Sequence, residues 1–272
     1  MLLFILLVFM RYTRYQLPMR TITIINQKGG SGKTTTAVCL GAALAEAGKR
    51  VAIIDLDPQR SASLWLNQPD PDPEVADVLL KKKTLTEVLK PTNVKGLQIA
   101  PGGAAMNTVE RQLDPGLGHL MRLRTALAEI RQSLDYVFLD CPPGLRDLSK
   151  VGLLCGDELL VPVEASFMAL QGLAELSELA DQAKDLNPKL RWCGVFLTRF
   201  TDRTIMSTQA LNQLREVFAE RLLPVRVPEG TRFKEAPGHR EPITVYDPEG
   251  AGAAAYRELA KVIISQQEAA HG

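Results

Sequence analysis

"TITIINQKGGSGKTTTAVCLGAALAEAGKR", residues 21–50, decides the fold. Residues 21–26 are largely apolar or β-branched, which suits a buried strand. From Thr34 onward apolar residues recur at helical spacing, and Gly48 supplies a stop signal. Between strand and helix lie Gly29, Gly30, Ser31 and Gly32, followed by Lys33, Thr34 and Thr35. Glycines let successive backbone N–H groups point into one concavity, and the helix start adds its positive end, so the unit is suited to bind phosphate. The general pattern G-x-x-x-x-G-K-[ST] is met in its second half by Gly32, Lys33 and Thr34, whereas Gln27 stands where its first glycine would fall. Lys33 is then expected on the β/γ-phosphates of a nucleotide and the Thr34 hydroxyl on magnesium. A second lysine, Lys28, is not explained by the loop alone.

Working outward, Val51 to Asp55 reads as a buried strand, with Asp57 just beyond its end. Short or buried strands are expected within 96–103, 135–144, 157–166 and 192–200, and helices over 116–134, 169–186, 209–222 and 251–267. The proline-rich stretch 67–74 reads as a surface loop, and the lysines at 81–83 as a solvated helix end or loop. Strands alternating with helices imply a single α/β domain, a doubly wound and mostly parallel sheet flanked by helices.

Bulk properties narrow the function. The net charge of the 272 residues is +1, so any nucleic-acid contact must come from a local patch. The four cysteines include no C-x-x-C pair, which argues against a disulfide or metal framework and favours a reducing cytoplasm. The apolar run "MLLFILLVFM" (1–10) is too short to span a bilayer as a helix and lacks a signal-peptide layout. Residues 1–18 are therefore expected to be a mis-assigned extension before a start at Met19, the alternative being a membrane-leaning tail, with one domain running from 19 to 272.

Three carboxylates follow strands: Asp55, Asp57 and Asp140, the last after the apolar run from Tyr136 to Leu139. In open parallel sheets ligands bind beyond the carboxyl ends of the strands, where the phosphate loop also lies. Asp140 has the form of a Walker-B aspartate supporting magnesium. None of His119, His239 and His271 is placed as a nucleophile's base, and no G-x-S-x-G occurs. The chemistry indicated is phosphoryl transfer to water, governed by positioning and electrostatics.

"KGGSGKTT" (28–35), "DLDPQ" (55–59) and "LDCPPG" (139–144) together resemble the ParA/Soj partition ATPases, of the deviant-Walker group that also holds MinD and nitrogenase iron protein. The likeness continues through "VPVEASFMALQGL" (161–173), "LTRFTDRT" (197–204), "RFKEAP" (232–237) and "PITVYDPEGAGAAAYRELAKVI" (242–263). It implies Mg²⁺-dependent ATP hydrolysis by a homodimer that forms when ATP is bound. In that family Lys28 would match the signature lysine that reaches the partner's nucleotide, and Asp57 the residue that positions the attacking water. Thr34 would ligate magnesium directly, Asp55 and Asp140 would support its shell, and Pro228 would pack the adenine. Arg203 and Arg232 match positions that contact double-stranded DNA without sequence preference, and Lys234 and Arg240 lie near enough in sequence to extend the patch.

The resemblance further implies a ParB-type centromere-binding partner and a cytoplasmic, nucleoid-associated protein. The alternative is a relative that positions a protein cargo on the nucleoid. Membrane targeting is not expected, because the C-terminal "KVIISQQEAAHG" is weakly basic and ends polar. Cys141 lies too close to the nucleotide to match an iron-cluster ligand. Departures from the pattern are Arg60, Gly144, Arg146, Glu229 and Gly230.

Overall fold

The computed structural model describes residues 17–112, 117–165, 169–201 and 205–270. Residues 1–16 of the expected extension, and Arg203, lie outside the described residues.

Among the described residues eight strands form one sheet: β1 (Arg20–Ile24), β2 (Val51–Asp55), β3 (Lys90–Pro91), β4 (Leu97–Ala100), β5 (Tyr136–Asp140), β6 (Glu158–Glu164), β7 (Arg191–Phe200) and β8 (Leu222–Pro228). Their spatial order is β3-β4-β2-β5-β1-β6-β7-β8. Neighbours are parallel except β3 and β4. The central strands are buried on both faces, which explains their near-continuous apolar runs.

The two faces divide by the strand period of two. Ile22, Ile24, Val51, Ile53, Tyr136 and Phe138 pack under helices α1 (Lys33–Glu46) and α6 (Ala251–Ala269). Ala52, Ile54, Val137 and Leu139 face the opposite layer. That layer is built from α2 (Leu117–Glu129), α3 (Asp147–Cys155), α4 (Ala169–Ala183) and α5 (Ile205–Phe218). The doubly wound α/β fold is the one expected from the sequence. No helix among the described residues is long and apolar enough to cross a membrane.

Register brings the acidic strand ends together. Asp55 pairs with Asp140 across β2 and β5, and Ile24, at the foot of the phosphate loop, pairs with Asp140 across β1 and β5. Three elements well separated in sequence thus present their carboxyl ends side by side.

The opposite ends of the strands carry a buried ion pair. Arg20 donates from Nε to Glu158 Oε1 at 2.8 Å and from Nη2 to Oε2, and Arg191 Nη2 adds a bond to Oε1 at 2.8 Å. Burial tends to raise the Glu158 pKa, but hydrogen bonds and charge from Arg20 and then Arg191 outweigh it and hold the group below its ordinary 4.5. A carboxyl depressed in the folded state stabilises fully above its unfolded pKa, and that contribution is lost as pH falls through the folded value. Glu158→Gln, which leaves Arg20 buried with no counter-charge, is expected to cost about 3–5 kcal/mol at pH 7. Denaturant melts at pH 7 and in the acid range should show that deficit shrinking below about pH 4.5. A deficit independent of pH would contradict the pairing.

Several elements differ from the sequence expectations, three of them in the sheet or the helices that cover it. Strand β8 is not among the expected strands, although "LLPVRVP" alternates correctly: Leu223, Val225 and Val227 are buried, Pro224 and Arg226 exposed. Helix α3 is short and follows a double proline, so its periodicity is brief. Helix α5 starts at Ile205 and stops at Phe218, four residues earlier at each end than the 209–222 expected, with the 3₁₀ turn Ala219–Arg221 leading into β8.

Candidate nucleotide site

The phosphate loop is held from three sides. The Asn26 side chain donates to the Pro162 carbonyl at 2.8 Å and accepts from the Lys28 N–H at 3.0 Å. The Thr198 hydroxyl donates to the Ser31 carbonyl at 2.9 Å, and the Gly144 N–H donates to the Gln27 carbonyl at 2.9 Å. Gly30 and Gly32 adopt φ of 73° and 94°, a left-handed conformation that a side chain would strain. Gly32 caps α1 without any side-chain hydrogen bond, leaving the first N–H groups of the helix free for an anion.

Lys33 is buried, and its Nζ donates to the Lys28 carbonyl at 3.1 Å. Burial lowers its pKa, opposed chiefly by the charge of Asp140. Gly29, Gly30, Gly32, Lys33, Thr34, Thr35, Asp57 and Pro228, all expected in the site, line one cleft of about 600 Å³. Ser31 is buried beneath the loop. Phe233 and Tyr256 add apolar and aromatic wall close to Pro228, chemistry suited to the face of a base. Glu229 and Gly230 also line it, so the two departures beside Pro228 face the same space.

The three aspartates have different surroundings. Both oxygens of Asp55 are engaged: Oδ1 accepts from the Asp57 N–H at 3.1 Å, and Oδ2 from the Ser63 N–H at 2.9 Å and hydroxyl at 2.6 Å. Burial raises its pKa to about 6. Asp57 is nearly buried, lines the cleft, and accepts from the Gln59 N–H at 2.9 Å. Asp140 is fully buried, and neither of its oxygens has a hydrogen-bond partner among the described residues. Burial first, and then the charge of Asp55, push its pKa well above the carboxylate range. The Thr34 hydroxyl opposes that rise without meeting hydrogen-bond geometry.

An orphaned buried carboxylate beside a phosphate loop fits a bound cation. Among the described residues no three His, Cys, Asp or Glu side chains converge as a metal cage. That suits Mg²⁺, which keeps waters and takes phosphate oxygens alongside one or two protein ligands. Thr34 and Asp140 would hold the ion. Asp55 stands behind as the acceptor that orients the turn carrying Asp57.

Lys28 lies at the rim. Its side chain is 48% exposed and its ammonium meets Glu164, outside the cleft that Lys33 lines. The residues expected on DNA separate. Arg232 is exposed, bonded to Glu235 at 3.0 Å and over the Tyr246 ring at 5.9 Å. Arg240 is exposed and donates to Asn67. Lys234, grouped with them by sequence, instead lines the nucleotide cleft. Arg60 has φ of 58°, which explains why glycine suits that position. Sequence reasoning missed Thr198, Arg199 and Phe233 as cleft residues, because nothing local marks a strand end or a four-residue helix as part of a site.

The comparisons agree with this geometry. A family profile described as an AAA domain matches residues 19–192. The sporulation initiation inhibitor protein Soj of Bacillus subtilis is 37% identical over 247 residues, covering 90% of this chain and 98% of that protein. The chromosome partitioning protein ParA of Caulobacter vibrioides is 36% identical, covering 92% and 96%. A Mycobacterium smegmatis structure described as cobyrinic acid a,c-diamide synthase, with bound ATP analogue and magnesium, superposes with a TM-score of 0.78 at 30% identity. It covers 92% of this chain and 96% of that one. The fold and loop define a P-loop ATPase with a deviant Walker A motif, dependent on Mg²⁺ and ATP. The chain belongs to the ParA/Soj/MinD superfamily of P-loop ATPases.

Proposed function

We propose that this ATPase positions a cargo on the nucleoid, with DNA segregation through a ParB-type partner as the specific role. The observation that carries it is the division of labour between the two lysines. Lys33 serves the subunit's own phosphates, while Lys28 sits at the rim where a second subunit could meet it. A cation supplied in trans neutralises phosphate charge and makes pairing depend on triphosphate. Thr34 and Asp140 hold magnesium, Asp55 fixes the turn behind them, and Asp57 orients the attacking water. Two relatives more than 35% identical carry chromosome-partitioning or Soj names, which supports DNA as the track.

In this scheme the ATP dimer doubles a modest basic surface that includes Arg232 and Arg240; Arg203, which lies outside the described residues, is assigned to DNA by its sequence motif alone. Neutralising phosphates releases counterions, so affinity falls with salt by about 0.9 log units per neutralised phosphate per log unit of salt. Binding of random-sequence duplex DNA, measured across a salt series with ATP, ADP or no nucleotide, tests the reading. ATP-dependent binding is expected. Arg203→Ala/Arg232→Ala should weaken it uniformly across sequences and flatten the slope by about one unit for each phosphate that is no longer neutralised. DNA binding indifferent to ATP would remove the nucleoid from the mechanism.

A further inference from the structure

Three cations surround the phosphate loop, and each is occupied by a protein group. Lys33 Nζ rests on the Lys28 carbonyl at 3.1 Å. Lys28 Nζ is paired with Glu164 Oε2, at the end of β6. Arg199 Nη1 approaches the other oxygen, Oε1, at 3.5 Å. The function proposed above uses the two lysines and leaves Arg199 and Glu164 without a role.

Arg199 is held in an unusual way. It stands near the end of β7, where the pairing with β8 slips: Leu197 matches Arg226 but Phe200 matches Pro228, so β7 carries one extra residue. Such a bulge redirects a side chain. The backbone there has φ of 50°, left-handed for a residue with a Cβ, a conformation that persists where the surroundings over-determine it and that clusters at ligand sites. The neighbouring Thr198 is bonded to the Ser31 carbonyl, which ties this strand end to the phosphate loop. The Arg199 side chain lines the nucleotide cleft, and its Nη2 lies 4.0 Å from where a Cβ on Gly30 would stand.

We propose that Arg199 is a further phosphate-binding residue of the nucleotide cleft, and that Glu164 is the carboxylate that holds Arg199 and Lys28 together until phosphate displaces it. The Arg199 and Lys28 side chains are half exposed, so their links to Glu164 are weak and readily exchanged. A guanidinium offers a planar fork that matches phosphate oxygens, a stronger partner than a single carboxylate oxygen at 3.5 Å. Glu164 therefore competes with nucleotide, and it couples the cation that serves the subunit's own site to the one that serves its partner's.

The inference deepens the nucleotide-site assignment and does not depend on DNA. Its test is equilibrium binding of ADP and of a non-hydrolysable ATP analogue, both with Mg²⁺, to the full chain without DNA. Arg199→Met keeps the length and removes the charge. It is expected to weaken both nucleotides about tenfold, with Arg199→Lys recovering part of the loss. Glu164→Gln is expected to tighten binding about threefold, and the double variant Glu164→Gln/Arg199→Met should lose most of that gain. Thermal melts without nucleotide separate a folding defect from a binding defect, since Arg199→Lys preserves the charge in either case. Unchanged nucleotide affinity in a folded Arg199→Met would overturn the proposal, as would a Glu164→Gln gain that survives in the double variant. Failure of the wild-type chain to bind either nucleotide would instead strike at the site assignment itself.

Discussion

Asp57→Ala is expected to retain Mg-ATP binding while hydrolysing it about 10²–10⁴ times more slowly. The carboxylate lies on the turn after β2, at the cleft, and its orientation is set from both sides. Its own N–H is bonded to Asp55 Oδ1, and its Oδ1 accepts from the Gln59 N–H. In the proposed function this group holds water in line with the γ-phosphate, and nucleotide binding is left to Lys33 and the loop N–H groups. Asp57→Asn retains the bond to Gln59 and removes the charge, so it should be nearly as slow as alanine. Single-turnover hydrolysis, with nucleotide affinity measured in parallel, checks both variants. An alanine variant that turns over at the wild-type rate would assign the water to another residue.

Lys28→Ala carries the second large effect. A cation supplied across a dimer interface to a developing phosphoryl charge is worth about 10³–10⁵ in rate. The variant should lose nearly all hydrolysis and stay monomeric with a non-hydrolysable triphosphate, as followed by sedimentation or light scattering. Its ADP affinity should be little changed, because Lys28 is not part of the cleft wall. Lys33→Ala should differ in kind by losing nucleotide binding outright. Triphosphate-driven dimerisation surviving in Lys28→Ala would reduce this lysine to a surface residue paired with Glu164.

The buried carboxylates explain why both experiments need magnesium throughout. Asp140 has no hydrogen-bond partner among the described residues, and Asp55 lies opposite it on the neighbouring strand. A divalent cation near Asp140 relieves an electrostatic cost that burial otherwise forces on the pair. Nucleotide and metal therefore stabilise the fold jointly, and thermal protection should be larger with Mg-ADP than with ADP in a chelator.

Much of this protein is legible from sequence because its signals are local. The glycines of the phosphate loop, the helix that follows, and the apolar strands ending at Asp55 and Asp140 are each contiguous stretches. Backbone conformation and burial there depend on near neighbours. The alternation of strands and helices then restricts the architecture to a parallel sheet whose carboxyl ends share one edge.

What tertiary structure alone decided lies between distant segments. That Asp55 is consumed by Ser63 and Asp57, while Asp140 has no hydrogen-bond partner among the described residues, follows from register and turn geometry that no local pattern encodes. Lys234 joins the cleft because its short helix folds back over the nucleotide wall beside Pro228. Lys28 meets Glu164 across a separation of 136 residues, and Thr198 reaches Ser31 across 167. Local chemistry specifies which groups can bind phosphate. Only the close approach of β1, β6 and β7 at one end of the sheet determines which of them meet there, since charge interactions weaken with distance and hydrogen bonds require direct contact.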